Sequence, residues 1–181
     1  MTLFDYVKDG GFIMYLLLVF NIFGLTILLS KAFYFLQFLK NINQHAAVLL
    51  KDFQSKTQAL SLSTEGQISL LKEEIAVFVR SMETWLGTVK IIATISPLLG
   101  LLGTVVGILL AFQVISQQGL GDPSLFAKGI SMALITTVGG LVVAIPHYIG
   151  HNYLVGLLDK IETQLEKEIL MKSFAGKKSE A

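Results

Sequence analysis

The chain contains no cysteine. Disulfides, thiol catalysis and thiolate metal sites are therefore excluded. Charge is scarce as well: 15% of residues are Asp, Glu, Lys or Arg, against about a quarter in soluble domains. All 13 carboxylates lie outside three long apolar stretches. No acid, nucleophile or metal-ligand cluster converges at any depth, which argues against an enzyme. The sequence implies no cofactor and no metal. A formal net charge of +1 gives no electrostatic basis for nucleic-acid binding. The leader MTLFDYVKDGG carries two aspartates and no basic start, so the first apolar stretch is expected to remain as a span and not to be cleaved as a signal peptide.

What the chain has in abundance is apolar length. Gly10 to Ser30, Ile91 to Gly121 and Gly129 to Leu158 are uncharged, and each reaches the ~20 residues that cross a bilayer. The second and third carry stripes of small residues at helical spacing. Gly100, Thr104, Gly107 and Ala111 share one face; Gly129, Ala133, Thr137, Gly140 and Ala144 share another. Lipid does not require small residues, whereas close helix packing does. Each stripe also sets a threonine hydroxyl at membrane depth. The reading is an all-α membrane protein with three transmembrane helices. Basic residues set its orientation: seven Lys or Arg lie between spans one and two, five lysines follow span three, and Lys8 and Lys128 lie opposite. The positive-inside rule gives N-terminus out and C-terminus in.

Residues 1–9 read as a short interfacial helix broken by Gly10-Gly11, and 10–38 as the first span with an extension whose Phe33, Tyr34 and Phe35 suit the cytoplasmic interface. Residues 39–84 form a cytoplasmic helical region. Within it Thr64 and Gln67 fit a capping box, and Leu71, Ile75, Phe78 and Met82 recur at helical spacing. No breaker precedes Trp85, so this helix is expected to run straight into the second span, 85–116. A turn at 117–124 leads to the third span, 125–158, with Ser124 as its cap. Residues 159–181 continue as an amphipathic cytoplasmic helix, on Ile161, Leu165 and Ile169, ending in a disordered AGKKSEA tail.

Two strings carry a closer likeness: SPLLGLLGTVVGILLAF from Ser96, and KGISMALITTVGGLVVAIPHYIGHN from Lys128. Both resemble the MotA, TolQ and ExbB proton-channel proteins, and three spans in a short chain look like the ExbB and TolQ branch. The resemblance implies a homopentamer whose second and third spans line a pore in the bacterial inner membrane. It implies a single-span partner of the ExbD or TolR type that brings a membrane aspartate. Proton movement through that aspartate would drive the motor, and a TonB-like protein would receive the force in the ExbB branch.

The same resemblance implies roles for residues. Thr104 and Thr137 would line the proton path. Gly100, Gly103, Gly107, Ala111, Gly129, Ala133, Gly140, Ala144 and Pro146 would shape the pore and the helix packing. Met132 stands where many relatives have a glutamate in the "GIxEAL" pattern. Thr94 and Thr136 lie off the pattern and receive no role.

Plainer readings stand beside these. A membrane threonine most often bonds its own backbone at i−4. On this plainer reading glycines serve packing alone, as at Gly103 and Gly139, and Pro97 and Pro146 kink or end helices. His147 and His151 share a face, yet two histidines make a poor metal site; snorkelling or hydrogen bonding fits them better. Asn21 and Thr26 read as helix–helix contacts. The functional readings are an ExbB-like subunit that energises outer-membrane transport, a TolQ-like subunit of the Tol–Pal system, and a passive membrane scaffold.

Overall fold

The computed structural model describes residues 3–57, 64–119 and 123–179, and every element among them is helical. The helices are α1 Leu3–Asp9, α2 Gly11–Lys40, α3 Ile42–Thr57, α4 Thr64–Met82, α5 Leu86–Gln118 and α6 Pro123–Ser179. Three segments are long and apolar enough to cross a membrane: Gly11–Lys40, Leu86–Gln118 and Phe126–Lys172. The chain divides into two compact units, one of Met1–Leu28 with Leu86–His151, the other of Leu29–Trp85 with Asn152–Ala181.

The first unit holds most of the apolar length of the three segments. Gly10 N–H bonds Tyr6 O at 3.0 Å to close α1. Gly11 then adopts φ +63°, where a residue without Cβ pays no steric penalty. The Gly10-Gly11 break therefore falls where the sequence placed it. The core joins Ile13 and Leu17 of α2, Ile92 of α5 and Val143 of α6, with Met14, Phe20, Leu99 and Val106 packed around them. Pro97 and Pro146 lie inside α5 and α6, and neither ends its helix. At the other end of α5, Gly119 takes φ +75° and its N–H bonds Ile115 O at 2.8 Å, a glycine stop of the usual kind. Helix α6 begins at Pro123. Ser124 is therefore inside the helix and does not cap it; proline suits the first helical position because the N–H it lacks has no partner there.

The second unit has its own apolar core. Phe35 and Phe38 of α2, Ala46 and Phe53 of α3, Leu71, Ile75, Val79 and Met82 of α4, and Leu154, Leu158, Ile161, Leu165 and Ile169 of α6 are all buried. The spacing of three and four along α6 puts its apolar residues on one stripe, as the sequence indicated for Ile161, Leu165 and Ile169. Phe35 corrects the interfacial reading: it is fully buried, whereas Phe33 and Tyr34 are exposed. Phe38 stacks on His45 at 4.0 Å between centroids and meets Phe78 at 6.0 Å, tying α2, α3 and α4 together. Lys56 on α3 bonds Asp52 at 2.8 Å and Glu74 on α4 at 3.0 Å. Those two carboxylates, Asp52 foremost, hold its ammonium above the ordinary amine range. The group is exposed, so the ion pairs fix register more than they stabilise.

Two expectations fail in this unit. The helix from residue 64 does not run into the second span. It stops at Met82, and Trp85 adopts φ +75°, a rare conformation for a bulky residue. Three bonds terminate the helix in place of a glycine: Glu83 N–H to Arg80 O at 3.2 Å, Thr84 Oγ1 to Ser81 O at 2.8 Å, and Lys31 Nζ to Met82 O at 3.1 Å. The lysine comes from α2, so no local sequence signal announces the stop. Trp85→Gly is expected to raise the midpoint of thermal unfolding in detergent, by relieving about 1 kcal/mol of backbone strain. A fall would show that contacts of the indole outweigh the strain. The tail also differs: α6 continues through Ser179, since from Ala175 onward no proline interrupts a helix already propagating. The cap at Thr64 has its side chain outside the described residues, as does the turn at 120–122.

Candidate functional site

The small-residue stripes of α5 and α6 face each other within one chain. A methyl group placed on Gly107 would lie 2.6 Å from Gly129 O and 2.8 Å from Ala133 N. One on Gly129 would lie 2.6 Å from Gly107 O and 2.9 Å from Ala111 N. Further along, Gly100 faces Thr136 O at 2.9 Å and Gly140 faces Ser96 O at 2.6 Å, measured in the same way. The pairs run in opposite senses along the two helices, so α5 and α6 are antiparallel. Backbone meets backbone at Gly100, Gly107, Gly129 and Gly140, an approach that small residues permit.

Thr136, which the sequence left without a role, is fully buried in this seam. Its side chain fills the space over Gly103. Its hydroxyl bonds Met132 O at 3.0 Å and Ala133 O at 2.9 Å. Ser96 is equally buried, with its hydroxyl on Ile92 O at 2.7 Å. Both obey the backbone-bonding habit of membrane hydroxyls. The signal that could have found Thr136 is its place one turn from Met132 and beside Gly140 on α6.

Thr104 and Thr137 stand at the edge of the seam, each half-buried. Thr104 Oγ1 donates to Leu101 O at 2.6 Å. Thr137 Oγ1 reaches Ala133 O at 3.4 Å and, across the helix pair, Gly100 O at 3.5 Å. No bond joins the two threonines. A hydroxyl whose proton is held by a carbonyl retains acceptor lone pairs. Each can therefore receive a hydrogen bond from a protonated carboxyl or a water. Thr94 is exposed and bonds Lys90 O at 2.9 Å.

Span one packs on α6 in parallel. A methyl on Gly139 would meet Met14 Sδ at 2.6 Å, and one on Gly150 would meet Leu28 Cδ1 at 2.8 Å. Met132 points to this side: its Cε lies 3.0 Å from a methyl placed on Gly11. The position expected to hold a glutamate thus carries an apolar contact to the α1–α2 elbow. Ala144 is buried and Pro146 exposed. His147 overturns the snorkelling reading, being fully buried with Nδ1 2.7 Å from Val143 O; His151 is half-exposed. Thr26 is exposed and bonds its own Ile22 O at 2.8 Å, and Asn21 is half-buried. No group of three or more metal-ligating side chains occurs among the described residues.

A biopolymer transport protein ExbB homologue of Methanothermobacter thermautotrophicus is 28% identical over 94% of this chain and 68% of its own length. The biopolymer transport protein ExbB of Aquifex aeolicus is 37% identical over 54% of the chain and 70% of its own length. The Tol-Pal system protein TolQ of Haemophilus influenzae is 37% identical over 46% of the chain and 37% of its own length. The profile of one family matches residues 40–167, which take in the whole α5–α6 seam. This multi-pass membrane protein belongs to the MotA/TolQ/ExbB proton channel family.

Proposed function

We propose that the chain is an ExbB-like subunit of a proton-driven motor in the bacterial inner membrane. It works as a homopentamer, N-terminus out and C-terminus in, around an ExbD- or TolR-type single-span partner. The proton motive force, taken up through that partner's membrane aspartate, energises a TonB-like protein and through it outer-membrane transport. It performs no enzymatic reaction.

The observation that carries this reading is the family match over the paired spans. The site supports it in a particular way. The three uncharged stretches, residues 10–30, 91–121 and 129–158, contain no carboxylate, so a proton carrier of the usual acidic kind must enter from another chain. Thr104 and Thr137 offer acceptor oxygens to such a carrier. The exposed apolar faces of α5 and α6, with Leu98, Leu101 and Val105 on one and Leu134, Val138 and Val142 on the other, suit lipid and neighbouring subunits.

Proton flux in liposomes tests it. Flux is expected when the chain is reconstituted with its single-span partner, and is lost when the partner's aspartate becomes asparagine. Flux from this chain alone would refute an externally supplied carrier. Absence of flux together with an oligomer that holds the partner would favour a passive scaffold. A TolQ-like role in the Tol–Pal system is the second reading, favoured by the 37% identity to TolQ. Complementation of strains lacking either system separates the two.

A further inference from the structure

Within the membrane unit one titratable side chain is completely enclosed. His147 has no exposed surface. Its Nδ1 lies 2.7 Å from Val143 O. A carbonyl oxygen only accepts, so Nδ1 carries the proton of that bond. In the neutral ring Nε2 is then a bare lone pair, and it has no hydrogen-bond partner among the described residues. Buried polar atoms are rarely left so, and each such atom calls for a reason.

The lid over Nε2 is Gly24 of α2. A methyl group placed on Gly24 would overlap Nε2 and Cδ2 of His147, and would sit 3.1 Å from Ile92 Cδ1 of α5. Glycine is what lets span one come down onto the ring. None of the three packed elements turns a charge toward it. On α2 the same face continues with Leu17 and Leu28, both buried, and its nearest charge along the helix is Lys31, seven residues on. On α5 the residue at this contact is Ile92; Val89 and Ser96, about one turn to either side of it along the helix, are buried, while Lys90 is exposed. On α6 the neighbours are Val143 and Gly150, with His151 half-exposed one turn away.

We propose that His147 is a proton-binding site of this subunit, opened and closed by span one at Gly24. A proton added at Nε2 turns an acceptor into an N–H donor. With span one seated, that donor would face a glycine Cα and an isoleucine methyl. With span one lifted, it would meet water. Proton binding and lifting of span one therefore favour each other, and the coupling is reciprocal. The ligand is the proton itself, taken from water and returned to it, with no other bond made or broken. The inference goes beyond the motor function and does not depend on it: it needs no partner, no flux and no carboxylate.

The chain supplies clean conditions for a test. It has three histidines and no cysteine. A cysteine pair, Leu28→Cys with Gly150→Cys, joins α2 to α6 where the two now touch, and its oxidation pins span one in place. The protein is labelled with 15N-histidine in lipid nanodiscs, and the ring nitrogens are followed by NMR from pH 8 to pH 5. His147 is assigned by its loss in His147→Gln. At pH 8 His147 is expected as the Nδ1–H tautomer. With the cysteines reduced it should take up a proton reversibly across this range. With them oxidised it should remain in the Nδ1–H form, its protonated fraction at pH 5 lowered at least tenfold, while His45 and His151 respond alike in both states. Three results overturn the proposal: the Nε2–H tautomer at pH 8, no protonation in the reduced protein, or equal protonation with span one pinned.

Discussion

Gly107→Leu, and equally Gly140→Leu, is expected to separate α5 from α6 and to abolish the proposed homopentamer. The Cβ of the new side chain would already fall 2.6 Å from Gly129 O at position 107, or 2.6 Å from Ser96 O at position 140. These neighbours are backbone atoms in helices and cannot rotate away. Overpacking a core with flexible neighbours costs about 1–3 kcal/mol. Here the helices must move apart and forfeit the contacts along the seam, so the loss is expected to exceed ~3 kcal/mol. Size-exclusion profiles and thermal unfolding in detergent report it. Gly87→Leu is the matched control on the same helix, because a Cβ there meets nothing within 4 Å; only its helix propensity changes, slightly for the better. A normal oligomer carrying leucine at both 107 and 140 would sink the close-packed seam.

Thr104→Val and Thr137→Val are expected to leave the oligomer standing while lowering partner-dependent proton flux at least tenfold. Valine preserves the shape of threonine and removes the one oxygen that can accept a hydrogen bond from a passing proton carrier. The structural cost is small at position 104, where the hydroxyl is bound only to Leu101 O in its own helix. It is somewhat larger at 137, where the bond to Gly100 O, at 3.5 Å, crosses between helices; interhelical bonds in membranes average about 0.6 kcal/mol. Thr136→Val provides the contrast. That hydroxyl is enclosed and already bound to Met132 O and Ala133 O, so its removal should disturb packing and leave no specific mark on flux. Equal flux losses in all three variants, or unaltered flux in Thr104→Val and Thr137→Val, would remove the threonines from the proton path.

Much of the architecture was legible before any coordinates. The three spans follow from apolar length, the α1–α2 break from adjacent glycines, and the buried stripe of α6 from the spacing of Ile161, Leu165 and Ile169. The small residues at 100, 107, 129, 133 and 140 announced close packing. The α4–α5 junction was not legible, because no glycine or proline marks it and one of the groups that end α4 is Lys31, distant in sequence from Met82. The burial of His147 was not legible either: histidine near the end of an apolar run reads as a snorkelling residue until Gly24 is known to cover it.

By itself, then, the sequence determined how many helices are long and apolar enough to cross a membrane, which faces are small, and that no acid resides in the three uncharged stretches. Those are properties of composition and period along a single helix, set by water, lipid and the 3.6-residue repeat. The tertiary structure alone decided that the two small stripes seal against each other, that Thr136 is shut in while Thr104 and Thr137 keep an open side, and that an imidazole lies beneath a glycine. Each of these depends on which helix fills the groove of which, and that is settled by shape between segments far apart in the chain.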